Sequence, residues 1–210
     1  MANADPVDFP SPIDLTDPTQ ARAWIEDTER RRPWRPYVFA VFVARLNAHF
    51  GGPIAIAELG SGPGRLAAAI LAGCDCRSYS AIDFSAAMHD LARDHLGETA
   101  QRVRFLLEDF RLSGWSEEIG VVDAIVTMQA AHEVRHVSRV LPLFQTVRTS
   151  IRRGGLFLYA DHFYEAGSSR NRGLFLTREE QVETLQAAGF CGIERLLEET
   201  SLALYAATAP

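Results

Sequence analysis

"IAIAELGSGPGRLAAAI", Ile54 to Ile70, runs from an apolar strand through a glycine-rich turn into an alanine-rich helix. Strand–turn–helix units of this kind build parallel sheets, and their turns bring backbone close to a ligand. The reading of this stretch decides both the fold and the kind of ligand.

Outward from it, strand and helix patterns alternate. "SYSAID" (78–83), "VRFLLE" (103–108), "VDAIVTM" (122–128) and "LFLYA" (156–160) read as strands. Helical patterns separate them at 64–73, 85–97 and 138–155, and Thr177 to Glu180 forms a capping box opening a further helix that Gly189 ends. "GIERLLEE" and "SLALYAAT" read as two closing strands in a tight hairpin. Strands alternating with helices of roughly ten residues predict parallel βαβ units with both faces covered, hence an open, doubly wound α/β sheet.

Before Ile54, residues 1–18 hold four of the ten prolines and read as an extended or mobile arm. Asp17 can cap a helix that Pro18 begins. A second helix is expected from about Pro36, with Val38, Phe42, Leu46 and Phe50 on one face and Gly51-Gly52 as its stop. The chain divides into an N-terminal arm and helical segment, 1–50, which the family resemblance given below implies is a lid, and a ligand-binding domain, 51–210.

In such a sheet the ligand lies beyond the carboxyl ends of the strands. A dinucleotide fingerprint needs a third glycine at position 65, which is arginine, and a P-loop needs a lysine, which the chain lacks entirely. Phosphate is disfavoured twice. Glu58, Asp83 and Glu108-Asp109 end three neighbouring strands, an electronegative mouth that attracts a cation. Asp83 follows Gly60 by 23 residues, about where a carboxylate accepts ribose hydroxyls. The ligand expected is a cationic, phosphate-free nucleoside, a description that S-adenosylmethionine fits.

"AELGSGPGRLA" resembles the first motif of the class I S-adenosylmethionine-dependent methyltransferases, small-molecule type. "AIDFSAAMHDLAR", "LLEDF", "VDAIVTMQAAHEV" and "IRRGGLFLYAD" resemble the later landmarks in their order, so the resemblance runs from Ile54 to the C-terminus. It implies a Rossmann-like, seven-stranded, mostly parallel sheet with an antiparallel C-terminal strand. Glu58, Gly60, Ser61, Gly62 and Gly64 would hold the methionine end of the cofactor, with Met128 presenting backbone to it. Asp83 would take the ribose; Phe84, Met88, Asp109 and Phe110 would surround the adenine. The product would be S-adenosylhomocysteine.

Transfer from a sulfonium is in-line displacement at a methyl carbon, so alignment supplies much of the catalysis and a base serves only acceptors that lose a proton. His132 and His162, in loops after two strands, are the catalytic candidates. Trp34, Tyr37, His132 and Tyr164 are candidates for the acceptor wall, and an arginine among Arg30, Arg31, Arg32 and Arg35 could meet a carboxylate. "MQAAHE" departs from the Asn/Asp-Pro-Pro-Tyr/Phe sequence of the amino-methylating enzymes of nucleic acids, and a net charge of −6 agrees. The expected partner is a small-molecule acceptor at oxygen, nitrogen or carbon, with neither nucleic acid nor membrane involved and a homodimer left open. No metal-ligand spacing is convincing. Cys74, Cys76 and Cys191 read as free thiols in a reducing compartment, and no secretory signal or bilayer-length apolar run is visible, so the cytoplasm is expected. Two other readings stay open, a non-catalytic binder of the same nucleoside and a nicotinamide-dependent oxidoreductase, the second opposed by Arg65 and the missing lysine.

Overall fold

The computed structural model describes residues 7–112 and 114–210; the first six residues of the N-terminal arm lie outside them. Two helices come first, α1 (Pro18–Arg31) and α2 (Arg35–His49). Asp17 caps α1, accepting from the backbone N–H groups of Thr19 and Gln20, and Pro18 occupies the first turn, where a missing N–H is harmless.

The sheet then alternates with helices: β1 (Ile54–Leu59), α3 (Arg65–Gly73), β2 (Cys76–Asp83), α4 (Ala86–Leu96), β3 (Val103–Leu107), α5 (Trp115–Ile119), β4 (Val122–Met128), α6 (Val140–Thr149), β5 (Ile151–His162), α7 (Arg178–Ala187), β6 (Cys191–Glu199) and β7 (Leu202–Thr208). The seven strands lie in the order β3-β2-β1-β4-β5-β7-β6. β1 to β5 pair in parallel, whereas β7 is antiparallel to both β5 and β6. The expected fold is present, including the antiparallel last strand.

Period-two alternation sends β1 side chains to opposite faces. Ala55, Ala57 and Leu59 join a core with Phe144 and Val147 of α6 and Leu185 of α7. Ile54 and Ile56 join the other core with Val38, Phe42 and Leu46 of α2 and Leu66 and Ile70 of α3. Glu58 lies on this second face. At the amino end of the sheet, Asp123 of β4 accepts from the Ala55 N–H at 2.7 Å and from Arg77 Nη2 at 2.9 Å, and also binds Arg152.

Two expectations are corrected. The helix read over 138–155 ends at Thr149, and Ile151 to Gly155 begin β5. Gly155 is needed within that strand: a Cβ there would lie 2.4 Å from the Asp123 carbonyl oxygen, a backbone approach that only the assembled sheet reveals. The arm, in its described part, is docked: Arg135 donates from Nε to Phe9 O at 2.7 Å and from Nη2 to Pro10 O at 2.6 Å. The Thr177–Glu180 capping box is formed as read. Among the described residues no helix is long and apolar enough to cross a membrane, no cluster of ligating side chains could hold a metal, and all three cysteines are free.

Candidate functional site

The chain leaves β1 toward β2 and β3, then returns to β4 on the other side of β1. At this reversal the connections diverge, and a cavity of about 360 Å³ opens beyond the carboxyl ends of β1, β2 and β4. Glu58, Asp83 and Met128 reach it from the three strand ends.

The turn between β1 and α3 holds three glycines in the left-handed region, φ +66° at Gly60, +51° at Gly62 and +75° at Gly64. Their uses differ. A Cβ on Gly60 would come within 2.3 Å of the Ala130 Cβ, and one on Gly64 within 3.1 Å of the Ala92 Cβ, so these two permit close packing. A Cβ on Gly62 would meet nothing within 4 Å; this residue leaves the turn backbone open to the cavity.

Asp83 accepts from the Gly62 N–H at 2.8 Å and from the Ser85 N–H at 2.9 Å, while Ser85 itself caps α4. Burial lifts the Asp83 carboxyl to about 6 against these bonds. Glu58 accepts from the Tyr79 hydroxyl at 2.7 Å; burial pushes its carboxyl up to about 8, with the Tyr79 bond opposing and the Asp83 charge adding. A Glu58 held neutral in this way ionises more readily beside a positive charge.

Ser61 Oγ, Gln129 Oε1 and the Nε atoms of Arg35 and Arg65 are buried without a partner among the described residues, and all four residues line the cavity. Buried polar atoms normally find partners, so four orphans around one space fit a polar ligand. The lining combines acids, guanidiniums and the apolar walls of Phe84, Met88 and Phe110.

His132 follows β4 and also lines the cavity. Its Nδ1–H donates to Asp161 Oδ1 at 2.8 Å, its backbone N–H to Asp161 Oδ2 at 2.9 Å, and Nε2 stands 3.4 Å from Glu133 Oε1. Burial works against the imidazolium, but the charge and hydrogen bond of Asp161, joined by Glu133, prevail and raise it to about 9. His162 is the opposite case. It does not line the cavity, its Nε2 lies 2.7 Å from the Gln129 amide and its Nδ1 3.2 Å from Ser201 Oγ, and burial lowers it to about 3.

Glu58, Gly60, Ser61, Gly62, Asp83, Phe84, Met88, Phe110, Met128 and His132 come together around this one space. Gly64 supports the turn from behind. Asp109 faces an adjoining cavity of about 380 Å³ and is held by Arg111, whose Nη2 lies 2.6 Å from Oδ2. Trp34, Tyr37 and Tyr164 do not line the main cavity: Trp34 packs against the second core, Tyr37 is exposed, and Arg172 covers Tyr164. In their place stand Trp24 of α1, the docked arm from Pro10 to Leu15, and Leu174 and Phe175 of the loop after β5. Trp24 lies on the α1 face whose Ala21 and Ile25 pack on α4; that amphipathic face was the available signal in the sequence.

A family model described as a methyltransferase domain matches residues 56–155. Among solved structures, the chain is similar to a DhpI–SAH complex, at 19% identity and TM-score 0.67, covering 92% of this chain and 95% of that one. An O-methyltransferase family protein from Burkholderia thailandensis matches at 16% identity and TM-score 0.70, covering 90% and 60%. A putative methyltransferase complexed with the Haloferax volcanii Trm112 activator gives 15% and 0.70, covering 96% and 100%. The chain spans about half the length of three further structures it matches. No curated protein matches it by sequence.

Proposed function

We propose that this chain is a class I S-adenosylmethionine-dependent methyltransferase that methylates an oxygen, nitrogen or carbon of a small-molecule acceptor; the methyltransferase-domain model matching residues 56–155 and the strand order support the reading. The observation that carries the reading is the pairing of Glu58 and Asp83, buried on adjacent strand ends, with a glycine turn that lines the cavity and has free space at Gly62. That arrangement offers acceptors for ribose hydroxyls at Asp83 and, once Glu58 ionises, a negative charge for an ammonium, which suits a cationic nucleoside.

In this reading Asp83 holds the ribose hydroxyls and Glu58 the α-ammonium, and Arg35, whose charge reaches Glu58, meets the α-carboxylate. The cofactor supplies a methyl group already activated on sulfur. The protein aligns it and excludes water, using the arm from Pro10 to Leu15, Trp24 and Phe175 as the cover; residues 1–50 thus act as the lid on the domain formed by 51–210. His132 is the group placed to take a proton from the acceptor, because it alone of the two histidines borders the cavity. With Asp161 holding Nδ1, the proton is received at Nε2. His162 orients Gln129.

Calorimetric titration with S-adenosylmethionine, S-adenosylhomocysteine and NAD tests the cofactor, and saturable binding of the first two but not the third is expected. Turnover against a panel of hydroxyl-, amine- and carbon-acid acceptors then tests catalysis. Tight binding with no S-adenosylhomocysteine released across the panel would favour a non-catalytic binder.

A further inference from the structure

Arg32 and Arg35 line the main cavity and also a second cavity of about 330 Å³, so the pair stands in the wall between the two spaces. The charged lining of the second cavity is Arg32, Arg35, Arg65 and Glu29, and Glu29 is already bound to Arg65 at 2.6 Å. Neither Arg32 nor Arg35 makes a side-chain ion pair or a side-chain hydrogen bond among the described residues. The Nε of Arg35 is buried without an acceptor. Both guanidiniums lose solvation, which lowers Arg35 to about 10 and Arg32 in the same direction; both remain cations. Two desolvated positive charges with acids nearby but none in direct contact are costly unless a ligand brings the anion.

The cofactor of the proposed reaction carries one carboxylate, and a bidentate pair with one guanidinium leaves the other fork without a bidentate partner of its own. Arg35 is the one whose charge reaches Glu58, at the methionine end. Arg32 instead lies within the field of Asp161 and Arg170, toward the end of β5, where His132 is anchored. Asp161 is not available to Arg32 as a counterion, since its oxygens already accept from His132 Nδ1 and from the backbone N–H groups of His132 and His162.

Resting on the methyltransferase reading, we propose that the methyl acceptor carries a carboxylate and that Arg32 binds it. The guanidinium fork matches the two oxygens of a planar carboxylate, and its place in the wall holds that group at the cavity edge. The rest of the acceptor then occupies the main cavity beside Leu174, Phe175 and His132. Arg32 is accordingly a specificity-determining residue.

The experiment uses the full chain saturated with S-adenosylhomocysteine and two probes of nearly equal shape, benzoate and benzamide, titrated by calorimetry. Benzoate is expected to bind saturably and benzamide at least about tenfold more weakly. Arg32→Ala should abolish the difference, Arg32→Lys should retain part of it, and both should keep the wild-type affinity for S-adenosylhomocysteine within about twofold. Arg35→Ala should weaken S-adenosylhomocysteine by about tenfold. Thermal unfolding of each variant confirms its fold. Equal binding of the two probes, no saturable benzoate binding, or an Arg32→Ala variant that retains the preference would overturn the assignment. Failure of the wild-type chain to bind S-adenosylhomocysteine would instead remove the methyltransferase reading beneath it.

Discussion

His132 and Asp161 meet twice, the ring Nδ1 2.8 Å from Oδ1 and the backbone nitrogen 2.9 Å from Oδ2. The double contact fixes both the ring's orientation and its tautomer, leaving Nε2 as the atom that exchanges a proton. It also stabilises the imidazolium, so that His132 stays charged up to about pH 9. A general base must be neutral to act, and the rate of methyl transfer should therefore climb with pH toward about 9. Asp161→Asn removes the charge that raises His132, so the same limb should move to lower pH. His132→Gln should lower kcat by about 10²–10⁴ while cofactor affinity is kept. A pH–rate profile of the three proteins checks this; an unshifted limb in Asp161→Asn would remove His132 from the proton path.

Asp83→Ala should weaken S-adenosylhomocysteine by about 1–3 kcal/mol, through the loss of ribose bonds and of the contact that holds the Gly62 N–H. Asp83→Asn, which keeps one acceptor oxygen, should fall between the two. Calorimetry at constant pH with a folded protein decides it, and unchanged affinity in the alanine variant would displace the ribose from this position.

The three glycines of the turn separate packing from ligand access. Gly60→Ala combines a left-handed residue with a Cβ 2.3 Å from Ala130, and should destabilise by about 2–5 kcal/mol. Gly62→Ala meets only the backbone strain, about 1–2 kcal/mol, yet places a methyl where the turn opens to the cavity. Urea unfolding should rank Gly60→Ala well below Gly62→Ala in stability, with the latter still folded and impaired in binding.

Asp123 lies at the opposite end of the sheet and gives the control. Asp123→Ala leaves the Ala55 N–H without its acceptor and strips Arg77 and Arg152 of their shared carboxylate. A loss of about 1–3 kcal/mol in unfolding free energy is expected, most of it from the buried Ala55 N–H because both arginines are half-exposed, with cofactor affinity unchanged.

What local pattern writes into a chain was legible here: the β1–turn–α3 unit, the Asp17 cap, the Thr177 capping box and the acids at the strand ends all depend on neighbours within a few residues. The start of β5 was not, because "SIRRGG" continues the apparent helix of α6 and only the Asp123 carbonyl, brought close in the sheet, shows why position 155 is glycine. The acceptor side was illegible for the same reason. Arg135 fastens the arm across more than a hundred residues of chain, and Trp24 enters the cavity because α1 packs on α4, whereas Trp34 and Tyr37, nearer in sequence to the sheet, turn elsewhere. Asp109 was singled out as an acid at a strand end, but Arg111, two residues on, holds its carboxylate.

Glu58 couples cofactor binding to protons. Its carboxyl titrates at about 8 because burial disfavours the charge, and an arriving ammonium or sulfonium favours it. At pH 7 binding should therefore release a fraction of a proton, and affinity should rise with pH and level off above about 8. The free protein carries the converse sign. A carboxyl raised above its unfolded value of 4.5 contributes stability that is complete below that value and lost as pH rises through about 8. Glu58→Gln keeps an acceptor for the Tyr79 hydroxyl but cannot ionise, so it should flatten both profiles and be more stable than the wild type at pH 8. Calorimetry at pH 7 in buffers of different ionisation enthalpy, with thermal unfolding from pH 5 to 9, measures both effects. A binding enthalpy independent of buffer would show that Glu58 does not gain its charge on meeting the cofactor.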